Sequence, residues 1–226
     1  MTHPSGTIPR RTWREPVCAL SHFAGFIAAL FGVAALLSES PPTGPKAIAF
    51  SIYGGSLCAV FLASSCYHFF DLGDRANRML RRFDHAAIFL LIAGTNVPLH
   101  LHLLDGAWRT GMIATVCGVG ALGVVFKLTW FACPRWLDSV LYVGMGWMVI
   151  IAVPVMYDRM SQAHLVWLLA GGAFYTVGAL IYGLKRPDPW PGVFGFHEIW
   201  HLFVLAGAGC HYGLTYALVH TPCPPF

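Results

Sequence analysis

Seven apolar runs, each about as long as a helix that crosses a bilayer, dominate this sequence. They cover residues 18–38, 46–70, 80–103, 109–131, 136–157, 162–184 and 195–220. A hydrocarbon core about 30 Å thick requires about 20 apolar residues per helix. With 57% hydrophobic and only 11% charged residues, a water-soluble fold would expose large apolar patches. The sequence therefore predicts an all-α integral membrane protein, a seven-transmembrane helix bundle in which residues 1–226 form a single domain.

Lys and Arg residues are distributed unevenly between the two sides of the predicted bundle. One side has Arg10, Arg11, Arg14, Arg75, Arg78, Arg81, Arg82, Lys127, Arg135, Lys185 and Arg186, and the other has Lys46, Arg109 and Arg159. Positive residues near the ends of membrane helices stay in the cytoplasm. The asymmetry predicts a multi-pass protein of the cell (inner) membrane with its N-terminus cytoplasmic and its C-terminus outside. We interpret the net charge of +4 as a sign of this topology and expect no nucleic-acid partner.

The seven cysteines offer no recognisable metal or disulfide pattern. They lie at positions 18, 58, 66, 117, 133, 210 and 223, mostly within predicted helices and without paired C-x-x-C spacing. We therefore expect neither a disulfide framework nor a thiolate metal site.

A small set of polar residues lies inside the predicted helices, where an ionisable group is costly without a partner. The set comprises His22, Ser64, His68, Asp84, His85, His197, Glu198, His201 and His211. A lone histidine in a membrane more often forms a hydrogen bond to a neighbouring helix than binds a metal. We keep that interpretation for His22.

Four of these residues are predicted to lie at one depth. His197 and His201 are one helical turn apart, suited to two ligands of one metal, and lie about 3 to 9 Å inside the cytoplasmic face. His68 lies about 3 Å inside the same face, and Asp84 about 6 Å. His211, ten residues past His201, is about 15 Å deeper, which is far beyond metal–ligand distance. The shared depth predicts one site built from three helices.

Three imidazoles without a fourth protein ligand are typical of catalytic zinc rather than structural zinc. Zn²⁺ lowers the pKa of a bound water to about 7 and polarises a carbonyl oxygen. Asp84 could hold that water and relay its proton, and Ser64 could fix a histidine or a developing oxyanion. The alternative for Asp84 is an ion pair with Arg81 or Arg82.

Three segments resemble the signatures of the bacterial haemolysin III family. They are SSCYHFF, RFDHAAIFLLIAGTNVP and FGFHEIWHLFVLAGAGCHY. That family is the prokaryotic branch of the progestin and adipoQ receptors, in a superfamily that includes the alkaline ceramidases. The resemblance implies seven helices with a cytoplasmic N-terminus, zinc ligands His68, His197 and His201, and Asp84 as the residue that positions the zinc water. It favours Asp84 over Glu198 as the catalytic base.

Two functions follow as hypotheses. The first is a zinc-dependent hydrolase that cleaves a ceramide-like lipid amide or ester near the cytoplasmic face and contributes to membrane lipid homeostasis. The second is a non-enzymatic sensor of membrane state, similar to a receptor, in which zinc is structural. A retinal protein is disfavoured because the last helix has no lysine, and Asp105 lies about a bilayer away from His197, which disfavours an intramembrane protease. A pore is disfavoured because few polar residues are available to line it.

Overall fold

The computed structural model describes residues 14–40, 43–130 and 133–225, and these form a bundle of α-helices. The eight helices are α1 (Pro16–Glu39), α2 (Pro45–Phe69), α3 (Asp74–Leu103), α4 (Gly106–Thr129), α5 (Arg135–Trp147), α6 (Val153–Met156), α7 (Gln162–Leu184) and α8 (Phe196–Ala217). Each predicted apolar run corresponds to one long helix, except that the fifth run contains both α5 and α6. The prediction of an all-α membrane protein is confirmed.

Five of the described helices, α1, α2, α3, α4 and α7, are long and apolar enough to cross a membrane. A sixth span results if the bent stretch from α5 to α6 is counted as one. The remaining long helix, α8, has 22 residues, enough to cross a hydrocarbon core. Its apolar sequence is interrupted by His197, His201, His211 and Glu198, and it is not among the five. The order of the elements therefore accommodates the seven spans that the sequence predicts.

The fifth span is not the continuous helix that the apolar run 136–157 predicts. After Trp147 the chain tightens into a 3₁₀ turn at Met148–Ile151, and the two halves of the span are bent by 41°. Pro154 explains the break, because it has no N–H to donate to the carbonyl four residues earlier and its ring clashes with that turn. The prediction of a single helix over 136–157 is wrong at this point.

Helix α3 is the centre of the bundle and packs against α2, α4, α5 and α8. Small residues allow these contacts to be close, as is usual between membrane helices. Gly94 of α3 lies against the Ser56 side chain of α2, and Gly123 of α4 lies against the ring of Phe89. Large apolar side chains such as Phe31 and Leu122 are exposed on the outside, as expected of helices that face lipid.

The two ends of the bundle differ in charge. Basic residues cluster at one end. They include Arg14, the four arginines at the start of α3 (Arg75, Arg78, Arg81 and Arg82), and Lys127 and Arg135 near the junction of α4 and α5. We call this the arginine end. At the opposite end, Lys46 donates to the carbonyl of Thr221 at 2.8 Å, and Arg109 donates to that of Pro224 at 2.9 Å. Arg159 pairs there with Asp105 at 2.5 Å.

Candidate metal centre

Three histidines from two helices meet at the arginine end of the bundle. His68 lies in the last turn of α2, and His197 and His201 lie in the first two turns of α8. The centroids of their rings are 4.6 Å apart for His68 and His201, 4.9 Å for His197 and His201, and 5.1 Å for His68 and His197. Three of the four residues that the sequence places at one depth are thus brought into direct contact.

The two histidines of α8 are spaced as ligands of one metal would be. Nε2 of His197 lies 3.4 Å from Nε2 of His201. Two nitrogens that each bind a tetrahedral zinc at about 2.0–2.1 Å are about 3.4 Å apart. The spacing and the nitrogen donors fit zinc.

The third histidine is held by a carboxylate from the segment that precedes α1. Nδ1 of His68 donates to Oε2 of Glu15 at 2.5 Å, and Nδ1 of His197 lies 3.4 Å from the same oxygen. The hydrogen bond from His68 lowers the pKa of Glu15 below its usual 4.5, against the opposing effect of burial.

Glu15, just before α1, and Cys18 of α1 also offer potential ligand atoms at this end, and no group found among the described residues joins all three histidines. Among the described residues, Cys18, His197 and His201 offer ligand atoms that all lie within 4.8 Å of one another, and so do Glu15, Cys18 and His68. The expectation that no thiolate takes part in a metal site stays a prediction, although the Cys18 sulfur belongs to both of these groups of potential ligand atoms. Cys66 and the other cysteines belong to neither group.

His22, which the sequence marks only as a partner of a neighbouring helix, contacts a candidate ligand. Nδ1 of His201 lies 2.9 Å from Nε2 of His22, and the two ring centroids are 4.1 Å apart. Glu15, Cys18 and His22 are spaced by three and four residues, as on one face of a helix, although α1 itself begins after Glu15. That spacing is a signal from which the contribution of α1 could have been found.

Glu198, the acidic residue of the H-E-x-x-H segment, supports the start of α8. The backbone N–H of Gly195 donates to Oε2 of Glu198 at 2.8 Å, which satisfies a backbone donor that the helix itself cannot. Its other oxygen, Oε1, lies 3.8 Å from the Cys18 sulfur. Glu198 therefore caps the start of α8 and lies beside Cys18.

Asp84 and Ser64, the predicted catalytic residues, line a cavity that begins beside the histidines. The cavity has a volume of about 170 Å³, and side chains of α3, α5, α7 and α8 form most of its wall. His197 and His201 line it together with Ser64 and Asp84. Along α3 it extends from Asp84 to Leu99, about 22 Å at 1.5 Å per residue. Most of the lining is apolar, so the space suits a hydrocarbon chain.

His211 lines the same cavity away from the histidine cluster. Its ring packs on α7, with its centroid 5.4 Å from that of Tyr175 and its edge against Gly171. The structure therefore does not bring His211 to the candidate ligands, in agreement with the depth expected from sequence.

A buried ion network forms another part of the cavity wall, near Asp84. Lys127 of α4 donates to Oδ1 of Asp138 on α5, and both side chains are buried. Nδ1 of His85 lies 3.6 Å from the other oxygen of Asp138, and the hydroxyl of Tyr142 donates to the backbone carbonyl of His85 at 3.1 Å. This network links α3, α4 and α5, and the sequence analysis did not predict it.

Comparison with known proteins gives one consistent family. The model of the haemolysin-III related family matches residues 11–212. Hemolysin-3 of Bacillus cereus is 31% identical over 194 residues, which cover 84% of each chain. The hemolysin-3 homolog of Bacillus subtilis (strain 168) is 34% identical over 161 residues, covering 71% of this chain and 72% of that one. The adiponectin receptor protein of Drosophila melanogaster is 29% identical over 234 residues, covering 90% of this chain and 51% of that one. A histidine-lined, apolar cavity in a helical membrane bundle thus accompanies a match along nearly the whole sequence, and the chain belongs to the haemolysin III family.

Proposed function

We propose that this protein is a zinc-dependent hydrolase that cleaves a ceramide-like amide or ester in a membrane lipid. One observation carries the proposal: His197, His201 and Asp84 line a long apolar cavity, and the ring of His68 packs against those of both histidines. A lipid chain in that cavity would place its polar linkage beside the imidazoles. His68, His197 and His201 would hold the ion.

A zinc ion there would supply a Lewis acid that activates water and polarises the carbonyl of the substrate. Asp84 would accept the proton that the attacking water loses as its oxygen adds to the carbonyl carbon. The same carboxyl group would then donate the proton to the departing nitrogen or oxygen as the bond to carbon breaks. Ser64 would donate a hydrogen bond to the carbonyl oxygen as negative charge develops on it.

The substrate would enter from the inner leaflet. The excess of Lys and Arg at the arginine end supports a cytoplasmic location for that end and for the N-terminus. The candidate ligands lie at the same end, within reach of lipid linkages in that leaflet. Two similar proteins carry the name hemolysin-3, and lysis of red cells is an effect on a membrane, which agrees with a lipid partner and a role in lipid homeostasis.

The hydrolase is tested by measuring product release from a panel of ceramides and acyl esters with purified, zinc-loaded protein. We expect Asp84→Asn to lower turnover about 10²- to 10⁴-fold while zinc content stays that of the wild type. Asp105→Asn, which changes a carboxylate at the opposite end, is the matched control and should retain full turnover. The hydrolase is refuted if zinc-loaded wild type releases no product from any lipid of the panel.

A second candidate function is favoured by the position of Cys18. A thiolate within ligand reach of His197 and His201 would give the ion a fourth protein ligand, and a fully protein-ligated zinc is structural. The ion would then tie helices together in a non-enzymatic sensor of membrane state. In that case His68→Ala would unfold the bundle, whereas Asp84→Ala would leave both the fold and the membrane phenotype intact.

A further inference from the structure

The three candidate ligand histidines share one feature: each has its Nδ1 directed at a residue from the N-terminal part of the chain. Nδ1 of His68 and Nδ1 of His197 both face Oε2 of Glu15, at 2.5 Å and 3.4 Å. Nδ1 of His201 faces Nε2 of His22 at 2.9 Å. In each imidazole the nitrogen that remains is Nε2.

The Glu15 carboxylate determines which nitrogen of the neighbouring imidazoles carries the proton. An ionised carboxylate only accepts hydrogen bonds, so the imidazole nitrogen beside it must carry the proton. The other nitrogen, Nε2, then has a free lone pair, which is the form in which histidine binds a metal. A carboxylate on Nδ1 also fixes the orientation of the ring and makes Nε2 a stronger donor.

The backbone of Glu15 is anchored to α2, the helix that carries His68. Its backbone N–H donates to the carbonyl of His68 at 3.1 Å. One turn on, the Ser65 hydroxyl of α2 donates to the carbonyl of Ala19 in α1 at 3.1 Å. Backbone and side-chain bonds thus hold Glu15 against the end of α2, while its carboxylate reaches across to His197 on α8.

We propose that Glu15 is a positioning residue of the metal centre, which orients His68 and His197 through one carboxylate oxygen and presents Nε2 of both to the ion. The inference rests on the metal site of the proposed function and not on hydrolysis. Loss of such a carboxylate typically lowers metal affinity 10- to 100-fold while the ligands themselves remain.

The test is zinc affinity of the purified full-length protein, measured by competition with a chelator for wild type, Glu15→Gln and Glu39→Gln. Glu39 is the matched control because it lies at the other end of α1, where its carboxylate accepts from the Tyr216 hydroxyl at 2.7 Å. We expect Glu15→Gln to bind one ion with affinity about 10- to 100-fold below wild type, and Glu39→Gln to bind as wild type does. Thermal unfolding of the metal-free proteins should be alike for all three.

Cobalt substitution distinguishes a positioning residue from a ligand. The visible absorption of bound Co²⁺ reports its ligand set, and Glu15→Gln should keep the wild-type spectrum once enough Co²⁺ is added to saturate the site. A spectrum that loses an oxygen ligand would overturn the proposal by making Glu15 a ligand. Unchanged zinc affinity in Glu15→Gln would overturn it as well.

A second variant covers the case in which Glu15→Gln does not fold. Glu15→Asp keeps the charge but draws the carboxylate back by one methylene, so it too should bind zinc more weakly than wild type, and equal affinity would overturn the role of Glu15. Wild type that takes up no zinc would overturn the metal site as a whole. Zinc binding with weakened Glu15 variants but no lipid cleavage would refute only the hydrolase and support Glu15.

Discussion

Nε2 of His197 and Nε2 of His201 face each other at 3.4 Å, one turn apart on α8. If both nitrogens bind the proposed ion, His197→Ala and His201→Ala should each abolish stoichiometric zinc binding. Elemental analysis of purified protein measures this directly. His211→Ala is the control, since its ring packs on α7 away from the cluster, and it should retain the zinc of wild type. Zinc retained in both His197→Ala and His201→Ala would contradict the site.

Cys18 provides the test that separates an open metal site from a closed one. In the hydrolase, an open position must remain for water, so Cys18→Ala should keep both zinc and turnover. In the structural alternative, removal of a fourth ligand should weaken zinc binding and destabilise the fold. Zinc content and melting temperature of Cys18→Ala distinguish the two. Cys58→Ala, a cysteine outside the ligand groups, serves as the control.

The cavity can be narrowed without disturbing the ligands. Gly146 lines the cavity, and a Cβ atom added there has nothing within 4 Å. Gly146→Leu should therefore fill part of the space reserved for a hydrocarbon chain and lower turnover of long-chain lipids more than that of short-chain ones, with zinc content unchanged.

Gly144 offers a matched control for that experiment. A Cβ atom at Gly144 also has nothing within 4 Å, but the residue is not part of the cavity wall. Gly144→Leu should leave chain-length preference as in wild type. Equal effects of the two substitutions would indicate a general perturbation of α5 and would contradict the assignment of the cavity to the lipid chain.

Lys127 and Asp138 form a buried ion pair. Removal of only one partner should destabilise the fold, because it leaves the other charge buried without a counter-charge. Lys127→Met leaves the Asp138 carboxylate buried without its main counter-charge, which typically costs about 3–5 kcal/mol. Replacement of both partners, Lys127→Met with Asp138→Leu, should recover most of that loss because no buried charge remains. Unfolding by denaturant in detergent measures the difference. Lys127→Met as stable as wild type would contradict this role.

The fold was largely predictable because the length of an apolar run directly limits the length of a membrane helix. The run 162–184 matches α7 end to end, and the other runs differ from the long helices by a few residues at their ends, except that α3 begins six residues before its run. The break before Pro154 was missed because an apolar run has the same composition whether its backbone is straight or bent. The position of the break depends on Pro154 alone, and the angle of the bend depends on how the neighbouring helices pack.

The sequence predicted the depth of the candidate site residues in the membrane, but not how each helix is rotated about its axis. Counting residues from the ends of helices placed His68, Asp84, His197 and His201 at one level, and the structure brings the three histidines together; their role as ligands stays a prediction. Sequence depth does not tell which way a helix is rotated, so the approach of Cys18 and the contact of His22 with His201 were not expected. Glu15 was missed because it precedes the first apolar run.

The contribution of the first helix has a consequence for how the protein is made. His22 and His201, which lie in direct contact, are separated by 179 positions in the chain. A ribosome must synthesise α8, the last helix in the described chain, before the three histidines can meet. Nascent chains that stop short of α8 therefore lack two of the three histidines. If the proposed zinc site exists, a product that ends before α8 should take up no zinc.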